Sequence, residues 1–274
     1  MTPAPTTGGS REIDIDQLIP SGRLKGRPLL LLLDVDGTLA PIVPDPSLAR
    51  VPDDTRRIIA SLAARADVHV VLVSGRAAHD ARRVVGVERV WTIGNHGAEV
   101  MTPDGEVSVE PEVERYAEAV ARTARTLTPL LADIAGVILE NKTWTLSVHY
   151  RRADEGVVPR LEAIVEGVAM QNGLWVGEGK KILEIRPPVS VDKGTAIARI
   201  TRALGGADSD GSVFFAGDDV TDEDAFRWLR AENPRAITVH VGDRLDTAAE
   251  FRFTSLDQVR AVLEYVARPA TIDR

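Results

Sequence analysis

Cysteine is absent from the 274 residues, which excludes disulfides, thiolate metal sites and a cysteine nucleophile at once. Long apolar runs are missing too: the longest, such as Leu29 to Leu33, are strand-sized and far too short to cross a bilayer. Positive charge is in the minority, with 33 Lys and Arg against 41 Asp and Glu, a formal net charge of −8 and a pI near 5.3. Such an acidic chain argues against nucleic acid or an anionic membrane as its main partner. It also sets a condition on any anionic substrate, because local positive charge or a metal must then offset the field. The opening MTPAPTTGGS has neither a basic nor an apolar stretch, so no secretory signal is expected. With the lack of cysteine, this makes the cytoplasm the expected location; a monomer is the expected form.

What is present reads as an ordinary globular chain, 44% apolar and 27% charged. Residues 1–27 are rich in Pro, Gly, Thr and Ser and read as a flexible leader. From residue 28 strand and helix patterns alternate, which predicts an α/β fold with a Rossmann-like parallel-sheet core. Leu29 to Leu33 is the continuous apolar run of a strand covered on both faces. The rhythm changes after about Met101. Residues 112–134 read as one helix, broken or ended near Pro129, and two strands follow. In the second of these, Trp144, Leu146, Val148 and Tyr150 alternate with Thr145, Ser147 and His149, the pattern of a strand with one buried and one open face. His149 reads as a surface residue of that sheet. The domain reading is therefore a core over 28–105 and 187–270, interrupted by an α+β cap over 106–186.

Four short segments carry the chemistry. In LLLLLDVDGTLAPI, Asp34 and Asp36 lie where a buried strand runs out, the edge at which open α/β sheets bind ligands. Two carboxylates at this spacing can act as nucleophile and as acid/base while holding a cation. A calcium loop does not fit, because Gly37 stands at the fourth loop position and no Glu at the twelfth. Ser74, in VHVVLVSGR, follows the next strand, where a hydroxyl and backbone amides can bind phosphate oxygens. Lys193, in DKGTAI, stands at a helix N-terminus, where ammonium and helix dipole both favour an anion. In FFAGDDVTDEDAF, a capping box of Thr221 with Asp224 explains the acids that open the helix. It leaves Asp218 and Asp219, at the strand end, to a cation.

Taken together and in order, Asp34-Val-Asp36-Gly-Thr, Ser74, Lys193 and Gly217-Asp218-Asp219 resemble the four motifs of the haloacid dehalogenase superfamily of phosphatases. Further stretches, DVDGTLAPIVPDP, SGR at 74–76, GNHGAE at 94–99, GKKILEIRP at 179–187 and GDDVTDEDAF, are similar to trehalose-6-phosphate phosphatases. The resemblance implies Asp34 as nucleophile, Asp36 as general acid and then base, and Ser74 and Lys193 as phosphoryl ligands. It implies Mg²⁺ held by Asp34, the backbone carbonyl of Asp36 and Asp218, with Asp219 or Asp222 orienting water or completing the shell. The small-molecule partner would be a sugar phosphate. Arg76, Asn95, His96, Gly97 and Glu99 are candidate substrate-binding residues near the core strands. In the cap, period-two alternation puts Lys180 and Glu184 on one strand face, from which they can reach sugar hydroxyls. The simpler reading of these outer residues is exposed strand charge or turn structure. Other readings of the chain keep the chemistry but change the substrate, to sucrose phosphate, glucosyl-phosphoglycerate or a hexose phosphate. Two more are a phosphomutase and a non-catalytic receiver module.

Overall fold

A computed structural model describes residues 10–179 and 181–268. Lys180, residues 1–9 of the leader and residues 269–270 at the end of the core lie outside the described residues. In chain order the strands are β1 (Arg11–Glu12), β2 (Leu29–Asp34), β3 (Val68–Val73), β4 (Trp91–Gly94), β5 (Glu99–Met101), β6 (Val107–Val109), β7 (Ile138–Asn141), β8 (Leu146–His149), β9 (Trp175–Gly179), β10 (Ile182–Arg186), β11 (Ser212–Gly217), β12 (Ile237–Val241) and β13 (Phe251–Phe253).

The main sheet has nine strands in the order β1-β13-β12-β11-β2-β3-β4-β5-β6. It is parallel from β1 to β4 and antiparallel at β5 and β6. From β2 the chain first winds outward through β3 and β4, and later returns to β11 on the other side. The strand order therefore reverses at β2, so the crevice beyond its carboxyl end is the expected ligand site. Burial on both faces is visible residue by residue. Leu29, Leu31 and Leu33 enter one apolar core and Leu30 and Leu32 the other.

The second sheet, β7-β8-β10-β9, is antiparallel. Its inner face, Leu146, Val148, Leu183 and Ile185, packs on the helices Ala117–Leu131 and Val158–Gln171 in a third core of its own. Antiparallel strands with one packed face explain the alternation seen in the sequence.

Several expectations need correcting. The leader is not loose throughout: β1 pairs with β13, and Ile13, Leu18 and Leu24 are buried in the main core. Its few apolar residues find a sheet edge distant in sequence, which composition alone does not reveal. Because β6 still belongs to the main sheet, the insertion begins after Val109, a little later than residue 106. The long cap helix runs through Pro129 to Leu131, and the interruption falls instead between Pro111–Glu114 and Ala117–Leu131. No helix among the described residues is long and apolar enough to cross a membrane.

Candidate active site

β2 delivers Asp34 to the sheet edge in a 4%-exposed position. A tight turn then brings Asp36 round, closed by Leu39 and Ala40 amides donating to the Val35 carbonyl at 3.0 and 2.8 Å. Gly37 is needed there twice over. Its φ is +91°, and a Cβ would overlap the Asp218 carboxylate. Ser74 follows β3 and is buried, with its amide on the Ile93 carbonyl at 2.9 Å and its hydroxyl accepting from the Arg76 amide at 3.1 Å.

Lys193 opens the helix Lys193–Ala203, which Asp192 caps through the Thr195 amide at 2.7 Å. Its ammonium donates to Asp34 Oδ1 and to Asp222 Oδ1, each at 2.8 Å. A buried lysine survives only when paired, and here two carboxylates pair it. Burial works against its charge, but Asp222 and then Asp34 outweigh burial and hold its pKa well above the ordinary lysine range. The other Asp222 oxygen accepts from the Asp219 amide at 3.0 Å, so Asp222 anchors both the lysine and the loop after β11.

Carboxylate oxygens of Asp34, Asp218 and Asp222 lie within 4.8 Å of one another. Lys193 pairs with two of these three acids, Asp34 and Asp222. Burial first, then Asp222 and Asp218, push the Asp34 carboxyl up against the opposing pull of Lys193. Asp34 Oδ2 is buried with no hydrogen-bond partner among the described residues. An orphaned, buried carboxylate oxygen beside further oxygen donors fits a hard dication such as Mg²⁺, which binds through few carboxylates and retains water. Of the two acids left unranked by the sequence, Asp222 joins this cluster. Asp219 instead lines the cleft above it.

The profile of the trehalose-phosphatase family matches residues 32–257. The chain belongs to that family. It is 34% identical over 265 residues to a trehalose-phosphate phosphatase of Mycobacterium avium, covering 94% of this chain and 66% of that protein. To a probable trehalose-phosphate phosphatase of Oryza sativa subsp. japonica it is 32% identical, covering 87% of this chain and 70% of that protein. At 36% identity it also matches two Mycobacterium tuberculosis proteins named as uncharacterized glycosyl hydrolases, but spans only 17% of their length. Among solved structures, the C-terminal domain of Candida albicans trehalose-6-phosphate phosphatase superposes with a TM-score of 0.76 at 25% identity, covering 94% of this chain and 98% of that one. A sucrose-phosphatase from Synechocystis, at 17% identity and a TM-score of 0.51, shares the fold.

The α+β cap stands over the acidic cluster. Its β7-β8-β10 face roofs a cleft whose floor includes Asp34, Asp36, Ser74 and Lys193. Glu184 lines that cleft, as the alternation of β10 predicts. Burial opposes its charge, but Lys142 foremost, then His96 and Ser147, hold its pKa well below the ordinary carboxylate range. Lys142 Nζ sits 3.4 Å from Glu184 Oε1 and donates to the Gly75 carbonyl at 2.9 Å. Ser147 donates to Glu184 Oε1 at 2.9 Å. His96, in the left-handed region at φ +56°, lines the cleft 3.8 Å from Glu184 Oε2, too far for a hydrogen bond. Its ring lies where a Cβ on Gly75 would be, which accounts for the glycine of SGR.

The structure does not place Asn95, Gly97 and Glu99 in the cleft. Asn95 donates to Glu99 at 2.9 Å and to the Lys142 carbonyl at 3.2 Å, while Thr145 donates to Asn95 at 2.7 Å. Glu99 accepts from the Ala78 amide at 2.6 Å, and a Cβ on Gly97 would overlap the Asp192 carbonyl. The GNHGAE loop is thus a brace between core and cap, apart from His96. Arg76 lines the cleft but forks onto Asp36 at 2.6 and 2.7 Å.

Sequence reading missed Glu140, Lys142 and His149. His149 is no surface ornament: its Nε2 meets Glu140 Oε2 at 2.7 Å, and both line the cleft. The usable signal was the open face of β8, where Ser147 and His149 alternate with Leu146 and Val148.

Proposed function

We propose that this chain hydrolyses trehalose 6-phosphate to trehalose and phosphate through an aspartyl-phosphate on Asp34. The observation that carries this reading is the unpartnered Oδ2 of buried Asp34, held at the floor of a cleft roofed by Lys142, Glu184 and His149. Asp34 attacks phosphorus, and the bond to the sugar oxygen breaks as Asp36 gives that oxygen a proton. Asp36 then takes a proton from water, whose oxygen attacks the same phosphorus and releases Asp34 and inorganic phosphate. Ser74 and Lys193 hold the phosphoryl oxygens. Asp34 and Asp218, beside Asp222, would hold Mg²⁺, which would supply the charge neutralisation that lets an anionic nucleophile meet an anionic substrate.

The roof offers both donors and acceptors, Lys142, Glu184, Glu140 and His149, a set that a polyol rather than an aryl group satisfies. A site built on buried hydrogen bonds rejects a substrate whose hydroxyls do not match it. The test is phosphate release from trehalose 6-phosphate, sucrose 6-phosphate, glucosyl-phosphoglycerate and glucose 6-phosphate, each with Mg²⁺ and with excess chelator. Trehalose 6-phosphate should give the highest kcat/KM, and only with Mg²⁺. A higher value for another sugar phosphate would reassign the substrate, and full turnover in chelator after exhaustive dialysis would reject the metal.

A further inference from the structure

Resting on the reading above, we infer that Arg76 is not a phosphate ligand but the positioning residue for Asp36. A guanidinium has five N–H donors in a fixed fork. In Arg76, Nε meets Asp36 Oδ2 at 2.6 Å and Nη2 meets Asp36 Oδ1 at 2.7 Å. Nη2 also donates to the Pro46 carbonyl at 3.0 Å, and Nη1 to Asp80 Oδ2 at 2.7 Å. These contacts use four of the five donors on the protein itself.

The side chain is only 9% exposed, against 37% for Asp36. The fork's root is therefore fixed while the carboxylate it holds faces the cleft. Burial alone would weaken the guanidinium's charge, but Asp36 and then Asp80 outweigh it and keep it fully protonated. A bidentate fork fixes both the position and the plane of a carboxylate. A carboxylate has about four lone-pair sites. The fork takes two, leaving another to carry the proton that passes to the departing sugar oxygen and to accept one from water afterwards. Asp36 stands at the start of the turn after β2, in a lone bridge to Ala40 rather than in a strand, so this fork adds at its side chain the hold that Asp34 receives from β2. Asp80 does not line the cleft. It acts on the reaction only by holding Arg76.

This arrangement predicts a distinctive kinetic pattern. Protonating the leaving group matters for a sugar oxygen and little for a good aryl leaving group. Arg76→Lys keeps a cation but loses the fork. In a single turnover it should slow the release of trehalose from trehalose 6-phosphate about ten- to a hundredfold and the release of aryl alcohol from an aryl phosphate far less, since both precede the step in which Asp36 serves as base, and it should change KM less than about threefold. Asp80→Asn should produce the same selectivity at a smaller, few-fold size, and serves if Arg76→Lys does not fold. Asp36→Asn is the reference and should show the selective loss at its largest.

Equal loss of the two single-turnover rates overturns the inference, as does a rise in KM with kcat unchanged, which is what a phosphate ligand would give. Wild-type activity of Arg76→Lys also overturns it. If wild type releases phosphate but Asp36→Asn shows no selectivity for the leaving group, the reading of Asp36 fails first and the inference falls with it.

Discussion

Two lysines, Lys193 in the core and Lys142 in the cap, are both buried and both serve carboxylates, yet they are built differently. Lys193 starts a capped helix and bridges two aspartates, each at 2.8 Å. Lys142 lies in the turn between β7 and β8, with its ammonium on a core carbonyl, that of Gly75, and 3.4 Å from Glu184. The first is held entirely by core elements whose order in the sheet places them at one edge. The second meets Glu184 within the cap and reaches its other partner, the Gly75 carbonyl, only where cap and core meet. A rigid lysine at the chemical step and a lysine that depends on the domain interface should therefore fail in different ways when removed.

The largest effect is expected at Lys193. Lys193→Met leaves Asp34 and Asp222 buried without their counter-ion. Removing one partner of such a pair costs about 3–5 kcal/mol, readable as a shift in the urea midpoint. Activity on every phosphate ester should fall together, because the lost ammonium serves the phosphoryl group. Lys142→Met should break the comparison in the other direction. Its kcat/KM for trehalose 6-phosphate should fall about 10–100-fold, while a small aryl phosphate is hydrolysed nearly as well as by wild type. If Lys142→Met loses both substrates equally, Lys142 works on the chemistry and the contrast between the two lysines collapses.

A smaller effect concerns pH. Burial, opposed by Glu184, pushes the His96 imidazole below its ordinary pKa. The unfolded chain takes up a proton near pH 6.5, where the folded chain does not. His96 therefore contributes full stability above that pH and loses it as pH falls toward the depressed folded value. His96→Asn, whose side chain tolerates the left-handed backbone at this position, should show a flatter decline in melting temperature between pH 7 and pH 5. An unchanged slope would place the pH dependence elsewhere, with His69, also lowered by burial, as the next candidate.

The contrast between the lysines also explains what could be read from sequence. Leu29 to Leu33 announce a strand buried on both faces, and Asp34 at its end follows from local pattern alone. Lys193 and the acids near 218–222 are legible for the same reason, since each stands at the end of a strand or the start of a helix. The cap roof is different. Glu184 follows from alternation in β10, but alternation does not extend to Lys181, whose φ of +66° puts it in a turn before the strand begins. Lys142 and Glu140 carry no period of their own. The role of Asn95 as a brace depends on Thr145, fifty residues away. Arg76 and Asp36 were each legible as site residues, but their pairing was not, because a fork across 40 residues is a tertiary fact. The packed part of the leader went unseen because three scattered apolar residues, Ile13, Leu18 and Leu24, show no period until a sheet edge is there to receive them.

The most direct test of the central claim is a time course of trehalose and phosphate released from trehalose 6-phosphate with Mg²⁺, by wild type and by Asp34→Asn. The account predicts equal amounts of the two products from wild type. It predicts a loss on the order of 10³-fold or more for the variant, whose urea midpoint stays close to that of wild type or above it. A variant that retains a tenth of wild-type turnover, or a wild type that releases phosphate without trehalose, would contradict it.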